Sequence, residues 1–360
     1  MKIAALTPYP SHAPSTRFRL EQFVKPLRAR GIHLSILPFF SAVEFETLYR
    51  SGRGVRKAEL LLRGIRRRAR QLDLAEGSDM VLIHRELSPL ASGSFLARLQ
   101  RAGLPLVFDF DDAVFLHPKG GNPVLRRIRN PRISTTALCR SAGLVLAGNE
   151  YLADFAREVR KDLDGVQILQ TVIDTDRFRP IRAQPTKPNL IVGWIGTHST
   201  LPYLEMIYPS LKQLAAKIPF QLLAVSNQAP LPDPGLNLKF LPWSEETERE
   251  ALAAMHVGVY PLPEDPWTLG KCGFKAIQCM ACGIPVVASP VGALKEVVVD
   301  GETGFHAATG GDWISCLGEV LSDLGTREEL GAAGRIRAVS RYSVHAVLPT
   351  LADCLRGVVS

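Results

Sequence analysis

The sequence predicts an α/β protein of two doubly wound domains, each built on a parallel sheet. Three observations lead there. The chain has 360 residues, enough for two domains of ordinary size. It opens on an apolar run at 1–7, a Pro/Ser-rich loop at 8–16 and a helical stretch at 17–30 closed by Gly31. Strand, loop and helix in that order form the repeating unit of a doubly wound domain. Near the other end, 284–289 is apolar and β-branched without alternation, which suits a strand covered on both faces.

Composition narrows the partners. Lys and Arg number 43 against 35 Asp and Glu, a net charge of +8. That balance favours an anionic partner without choosing among nucleotide, lipid surface and nucleic acid. No run of about eighteen apolar residues is present, so no bilayer-spanning segment is expected. The N-terminus enters a strand directly, without the apolar core of a signal peptide. Cys139, Cys272, Cys279, Cys282, Cys316 and Cys354 are irregularly spaced, which suggests a reduced, cytoplasmic protein. Cys279 and Cys282 read as buried thiols on one apolar helix, and no metal site is expected.

In the first half, Arg17 and Arg19 stand at a helix start, where positive charge is unfavourable without an anion; they could meet an acceptor or a phosphate, or form a solvated first turn. A second strand is expected at 33–39. From 50 to 70 come Arg50, Arg53, Arg56, Lys57, Arg63, Arg66, Arg67, Arg68 and Arg70 against one acid, Glu59, with leucines at 60–62 and Ile65 between. Such a helix either lies on an anionic membrane, at about 1 kcal/mol per basic residue, or packs its leucines on the sheet. A strand at 79–84 precedes Arg85 and Glu86. The strand at 104–110 leads into Asp109, Asp111 and Asp112, and carboxylates at a strand's C-terminal end sit where ligands dock. A magnesium–diphosphate site, or Asp112 as a helix N-cap, are the other readings of that cluster. A second basic stretch holds Arg126, Arg127, Arg129 and Arg132.

A strand at 144–147 follows, and the domain boundary is expected near 181, with 184–188 as linker. The second domain opens on the strand 190–196. Gly196, Thr197, His198 and Ser199 then resemble a strand-to-helix phosphate turn. Strands at 220–225, 236–241 and 257–260 lead to a loop at 262–267. Gly270, Lys271, Cys272 and Gly273 form a glycine-flanked turn that feeds a helix at 274–282. Such a turn offers backbone N–H groups and a positive dipole end to a phosphate. Lys275 and Gln278 share a face with Lys271 if the helix includes it. Two cations and an amide above a phosphate-sized nest suggest a nucleotide site; the plainer reading is a face that lysines keep soluble. Helices are expected at 293–299, 313–324 and 327–342.

The stretches Met280-Ala281-Cys282-Gly283-Ile284-Pro285-Val286-Val287-Ala288-Ser289 and Val298-Val299-Asp300-Gly301-Glu302-Thr303-Gly304 resemble the nucleotide-sugar motif of family 4 glycosyltransferases. Asn149-Glu150-Tyr151-Leu152 and the segment 168–180, with Asp174, Phe178 and Pro180, are similar to further family segments. The family's E-G-F-G and its second Glu are replaced: Gly270 and Gln278 stand at the two glutamate positions, within G-K-C-G-F-K.

The resemblance implies a GT-B fold, two Rossmann-like domains facing across a cleft: 1–180 on the acceptor side, 181–342 binding the nucleotide sugar, and 343–360 returning to the first. It implies a retaining, hexosyltransferase-type enzyme using a UDP- or GDP-linked sugar, without cofactor or metal. Lys271, Lys275 and Asp111 would be catalytic, Asp111 falling where many members carry a His. Gly196, Thr197, His198, Ser199, Gly270, Cys272, Gly273 and Gln278 would bind the donor. Arg17, Arg19, Asp109, Asp112 and Glu264 would contact acceptor or sugar, Glu264 being near the vacant first glutamate. Family members often act on membrane-borne acceptors, which inclines 50–70 toward membrane contact and the protein toward the inner membrane face. The rivals are a catalytically silent nucleotide-sugar-binding protein and a GT-B epimerase or phosphorylase. No nucleic-acid partner is expected, because the basic stretches lack interleaved aromatics.

Overall fold

The computed structural model describes residues 1–48, 54–90, 92–117, 130–180, 190–233 and 235–359. Arg50, Arg53, Arg126, Arg127, Arg129 and the expected linker at 184–188 lie outside the described residues. The chain divides into two compact units. One holds Met1–Thr171, Gly270–Cys272 and Val347–Ser360; the other holds Val172–Leu269 and Gly273–Ala346.

In the first unit, β1 (Lys2–Thr7), β2 (His33–Pro38), β3 (Met80–His84), β4 (Leu106–Phe110), β5 (Leu144–Ala147) and β6 (Val166–Ile168) form one sheet in the order β2-β1-β3-β4-β5-β6. Every pairing is parallel. All residues of β3, β4 and β5 are buried, as expected of strands covered on both faces. The helical stretch after β1 begins at Pro14, passes through a π turn over Arg17–Glu21 and continues over Gln22–Arg28.

The basic helix, Gly54–Ala75, carries a buried stripe beside its basic face. Leu60, Gly64, Arg68, Gln71, Leu72 and Ala75 are buried, a spacing that winds one stripe along the helix. Gly64 lies so close to the Phe39 ring that a Cβ would sit 2.2 Å from it. Arg68 is wholly buried and donates to the carbonyls of Thr7 (2.6 Å), Leu37 (2.9 Å) and Leu87 (2.9 Å), and to Gln71 Oε1 (2.9 Å). Arg67 grips Glu44 through both terminal nitrogens, at 2.7 and 3.0 Å. Two arginines of the run therefore satisfy the sheet's polar ends, and Arg56, Arg63, Arg66 and Arg70 remain exposed.

In the second unit, β7 (Leu190–Ile195), β8 (Phe220–Ser226), β9 (Leu238–Pro242), β10 (Val257–Tyr260), β11 (Val286–Ala288) and β12 (Gly304–His306) are ordered β12-β11-β10-β7-β8-β9, again parallel. Its core joins Val192, Trp194, Leu222, Val257 and Val287 to Trp313 and Leu317 of the helix Gly310–Ser322. The helix Phe274–Ala281 starts only after Gly273, so Lys271 lies outside its periodicity. Ala276 to Ala281 are all buried. Close approaches at glycine seat this segment: Cys279 against Gly258, Met280 against Gly334, and the Gly283 carbonyl against Gly331.

Candidate functional site

At the carboxyl ends of β3 and β4, charged side chains stack in two tiers. The inner tier is closed. Asp109, the fourth residue of β4, is in register with His84, the last of β3. Its carboxylate takes a two-point ion pair from Arg19 and accepts from His84 Nδ1 at 2.7 Å. Arg19 also donates to the Leu169 carbonyl at 2.6 Å. Arg19 and Asp109 are each only 1% exposed. Burial would push the Asp109 carboxyl up, but Arg19 and His84 outweigh it and hold it below the usual carboxylate range. Both side chains are enclosed and engaged with each other, so their position is that of supports under the site.

The outer tier is partly open. Arg85 Nε meets Asp111 Oδ1 at 2.6 Å, and its Nη2 lies 4.0 Å from Asp112 Oδ2. Lys271 Nζ lies 3.4 Å from Asp112 Oδ2. These four side chains keep between 11% and 21% of their surface exposed. Burial again opposes the charge of Asp111, and Arg85, then His84, reverse it and hold the carboxyl far below its ordinary value. No helix begins at Asp112; a turn follows, which removes the N-cap alternative. Arg17, two residues before Arg19, is buried with its guanidinium 4.3 Å from the Phe18 ring centroid.

Residues Gly270–Cys272 pack onto this tier one by one. A Cβ at Gly270 would lie 2.7 Å from Ala113 Cβ and 2.8 Å from Ala113 N. No side chain fits there, which accounts physically for glycine at the first glutamate position. Cys272 donates its thiol to the Asp111 carbonyl at 3.2 Å, and the space beside it is kept by Gly148. Burial, and then Asp111, push that thiol up to about 12, so it stays protonated. Asn149 caps the helix Glu150–Arg160 through Leu152 N and donates to the Lys271 carbonyl at 3.1 Å. Gly273 adopts φ 68° as the N-cap of the next helix and has no side chain to cap it. We expect Gly270→Ala to lower stability by about 1–3 kcal/mol, the usual cost of overpacking, because the obstacle is backbone. Thermal melts of the variant measure it; an unchanged midpoint would mean the 111–113 loop yields freely.

Lys275 faces other partners. Its ammonium donates to Glu248 Oε1 at 2.8 Å and Gln278 Oε1 at 2.9 Å. Glu248 is 2% exposed and also accepts from Trp243 Nε1. Gln278 is wholly buried. Lys275 and Gln278 thus meet on one helix face, as their spacing predicts, while Lys271 pairs separately with Asp112.

The turn at 196–200 differs from an open amide nest. Gly196 N–H donates to the Val225 carbonyl, Thr197 N–H to Thr200 Oγ1, His198 N–H to Asn227 Oδ1 and Thr200 N–H to the Thr197 carbonyl. The Thr197 and Ser199 hydroxyls bond each other at 2.8 Å. The turn closes on itself because Thr and Asn side chains readily satisfy nearby amides. Glu264 is exposed in the loop after β10.

The sequence did not single out His84, Arg85 or Glu248. The rule that raised Asp109 applies equally to His84 and Arg85, which sit at the same end of the neighbouring strand. Glu248 carries no such signal, since its burial depends on Lys275 and Trp243 meeting it.

Known proteins share this architecture. The family model "Glycosyl transferases group 1" matches residues 190–323. D-inositol 3-phosphate glycosyltransferase of Paenarthrobacter aurescens is 38% identical over 72 residues, 19% of this chain and 17% of that protein. Alpha-maltose-1-phosphate synthase of Mycobacterium tuberculosis is 34% identical over 118 residues, 31% of this chain and 29% of that protein. The chain therefore spans less than a third of either relative's length. Among solved structures, sucrose-phosphate synthase from Thermosynechococcus elongatus matches with TM-score 0.74 at 18% identity, over 99% of both chains. Anabaena HepE in complex with UDP-glucose matches with TM-score 0.71 at 17% identity, over 99% of this chain and 100% of that one. The two six-stranded parallel sheets with flanking helices are the GT-B fold of these structures.

Proposed function

We propose that the protein is a retaining glycosyltransferase of family 4 type, moving a hexosyl group from a UDP- or GDP-linked sugar to an acceptor hydroxyl. One observation carries the proposal: the segment matched by the glycosyltransferase family model contains Lys271, Lys275 and Gln278, and in the fold Lys271 stands beside the acids at the end of β4. One relative is named a glycosyltransferase of D-inositol 3-phosphate and another an alpha-maltose-1-phosphate synthase, and HepE was solved with UDP-glucose.

In the reaction the bond from the anomeric carbon to the diphosphate breaks, and the acceptor oxygen bonds the same carbon. The acceptor proton leaves with the diphosphate, so no strong protein base is required. Lys271 stabilises charge that grows on the leaving group, more in the transition state than in the ground state. Lys275 already meets the Glu248 carboxylate and the Gln278 amide, and its part is to hold that buried pair in place, since a wholly buried Gln278 presents no face to a ribose. Asp111 accepts a hydrogen bond from a sugar hydroxyl. A cytoplasmic protein with a lipid-linked or cell-envelope acceptor fits the outward face of Gly54–Ala75. Among the described residues, no helix is long and apolar enough to cross a membrane. Arg66→Glu with Arg70→Glu should abolish binding to vesicles containing anionic lipid and leave donor affinity intact; equal vesicle binding by wild type and variant would reduce this helix to scaffold.

A catalytically silent nucleotide-sugar binder is the alternative, favoured by the absence of room for a carboxylate at Gly270. Thermal shifts with UDP-, GDP-, dTDP- and ADP-sugars identify a donor. Steady release of nucleoside diphosphate from that donor then supports the transferase, whereas tight binding without turnover supports the silent module.

A further inference from the structure

The geometry points to Arg85 as a positioning residue: its guanidinium fixes one oxygen of the Asp111 carboxylate and leaves the other to accept a hydroxyl of a bound sugar. This rests on the transferase proposal for its ligand, and on the geometry of one kinked residue for its substance.

In an extended chain successive side chains point to opposite sides of the sheet. His84 ends β3 and bonds Asp109. Arg85, the next residue, would then turn away from the end of β4. Instead its backbone takes the left-handed conformation, φ 61°. Only one other non-glycine among the described residues does so, Lys161, which is the C-cap of a helix, where that conformation is ordinary. Arg85 has no helix end to justify it. Its N–H donates to the Asp109 carbonyl at 2.7 Å, and the Glu86 N–H to the His84 carbonyl at 2.7 Å, so hydrogen bonds on both sides hold the kink.

The result is a pairing that a straight strand could not make. Asp109 and Asp111 are two residues apart, and consecutive residues of the neighbouring chain, His84 and Arg85, serve them both. Sparsely populated backbone conformations held by their surroundings concentrate at functional sites. Here the kink aims a cation that would otherwise miss its carboxylate.

The carboxylate is left half-committed. Arg85 Nε takes Oδ1, while no hydrogen bond among the described residues reaches Oδ2. The side chain keeps 11% of its surface, so a ligand can approach. The charged or titratable groups around it are Arg85, His84, Arg19, Asp109, Asp112, Lys271, Cys272 and Tyr9. Arg85 leads the attractive influences on Asp111. A carboxylate kept anionic with one bare oxygen accepts a hydroxyl and rejects a second anion.

Two measurements on the full chain test this. The first needs no turnover. In ¹³C-aspartate-labelled protein, Asp111, assigned by its loss in Asp111→Asn, should titrate well below the ordinary range in wild type. In Arg85→Gly, which relieves the kink, it should titrate clearly higher than in wild type, because burial is then opposed only by His84 and Arg19. An unmoved Asp111 overturns the proposal. The second uses the donor that the thermal-shift panel identifies. Arg85→Gly should lower kcat at least tenfold with little change in donor KM, and should move the acidic limb of the pH–rate profile upward; added guanidinium should restore part of kcat. A carboxyl shift without any change in kcat or in the acidic limb means that Arg85 serves folding only, and also overturns the proposal. If wild type turns over no donor while the carboxyl shift appears, the transferase proposal falls and Arg85 stands as the residue that sets Asp111.

Discussion

Lys271→Ala should lower kcat/KM by about 100-fold or more, on the order of 3 kcal/mol, as loss of one preorganised charge at a developing anion does. The side chain is partly exposed and its ion pair with Asp112 spans 3.4 Å, so little folding energy depends on it. The Lys271 carbonyl, which accepts from Asn149, is untouched by the substitution. Kinetics and stability should therefore separate: a large fall in turnover with a melting midpoint close to wild type. Donor KM should change less than kcat, because the charge matters most once the glycosidic bond is breaking. Steady-state rates with the identified donor measure this. A loss of tenfold or less would remove Lys271 from the chemistry.

Arg19→Ala should be the most damaging substitution for the fold. It strips the enclosed Asp109 carboxylate of its ion-pair partner and the Leu169 carbonyl of its donor, leaving only His84 on Asp109. Breaking a buried pair from one side costs about 3–5 kcal/mol. The pH dependence has a definite sign. In wild type the folded Asp109 carboxyl is depressed, so its contribution is complete above the unfolded value, about 3.9, and is lost as pH falls through the lower folded value. Without Arg19, burial is opposed by His84 alone and the folded value rises. The variant's deficit should then be greatest at neutral pH and shrink as acid protonates the carboxyl. Urea unfolding at pH 7 and pH 4 tests both parts. A deficit under about 1 kcal/mol at pH 7, or one that widens in acid, would contradict the ion pair's role.

Much of the fold was legible because its signals are local. The strands expected at 79–84, 104–110 and 284–289 became the buried strands Met80–His84, Leu106–Phe110 and Val286–Ala288, since parallel strands are covered on both faces. The acids after β4 were visible because their position in a βα unit is fixed by topology. What the sequence hid is the pairing. The run 50–70 read as a basic polar face beside an apolar one, yet Arg67 and Arg68 turn inward to a carboxylate and to carbonyls that only the tertiary structure brings near. Gly196 to Ser199 looked like a phosphate nest, and the amide-bonding partners Thr200 and Asn227 were not apparent. Lys275 resembled a second phosphate ligand until Glu248, from the helix Glu245–Ala254, was found beneath it.

Arg68 bears on how this protein could meet a lipid bilayer. One guanidinium ties Gly54–Ala75 directly to the tips of two strands and to the segment beyond a third. Such a rivet cannot be drawn without stranding several oxygens in a dry interior. The helix therefore cannot swing out and sink into lipid as a detachable blade. Any attachment has to be adhesion of a rigid hull gripped by the outward arginines, and such adhesion should come loose on raising ionic strength.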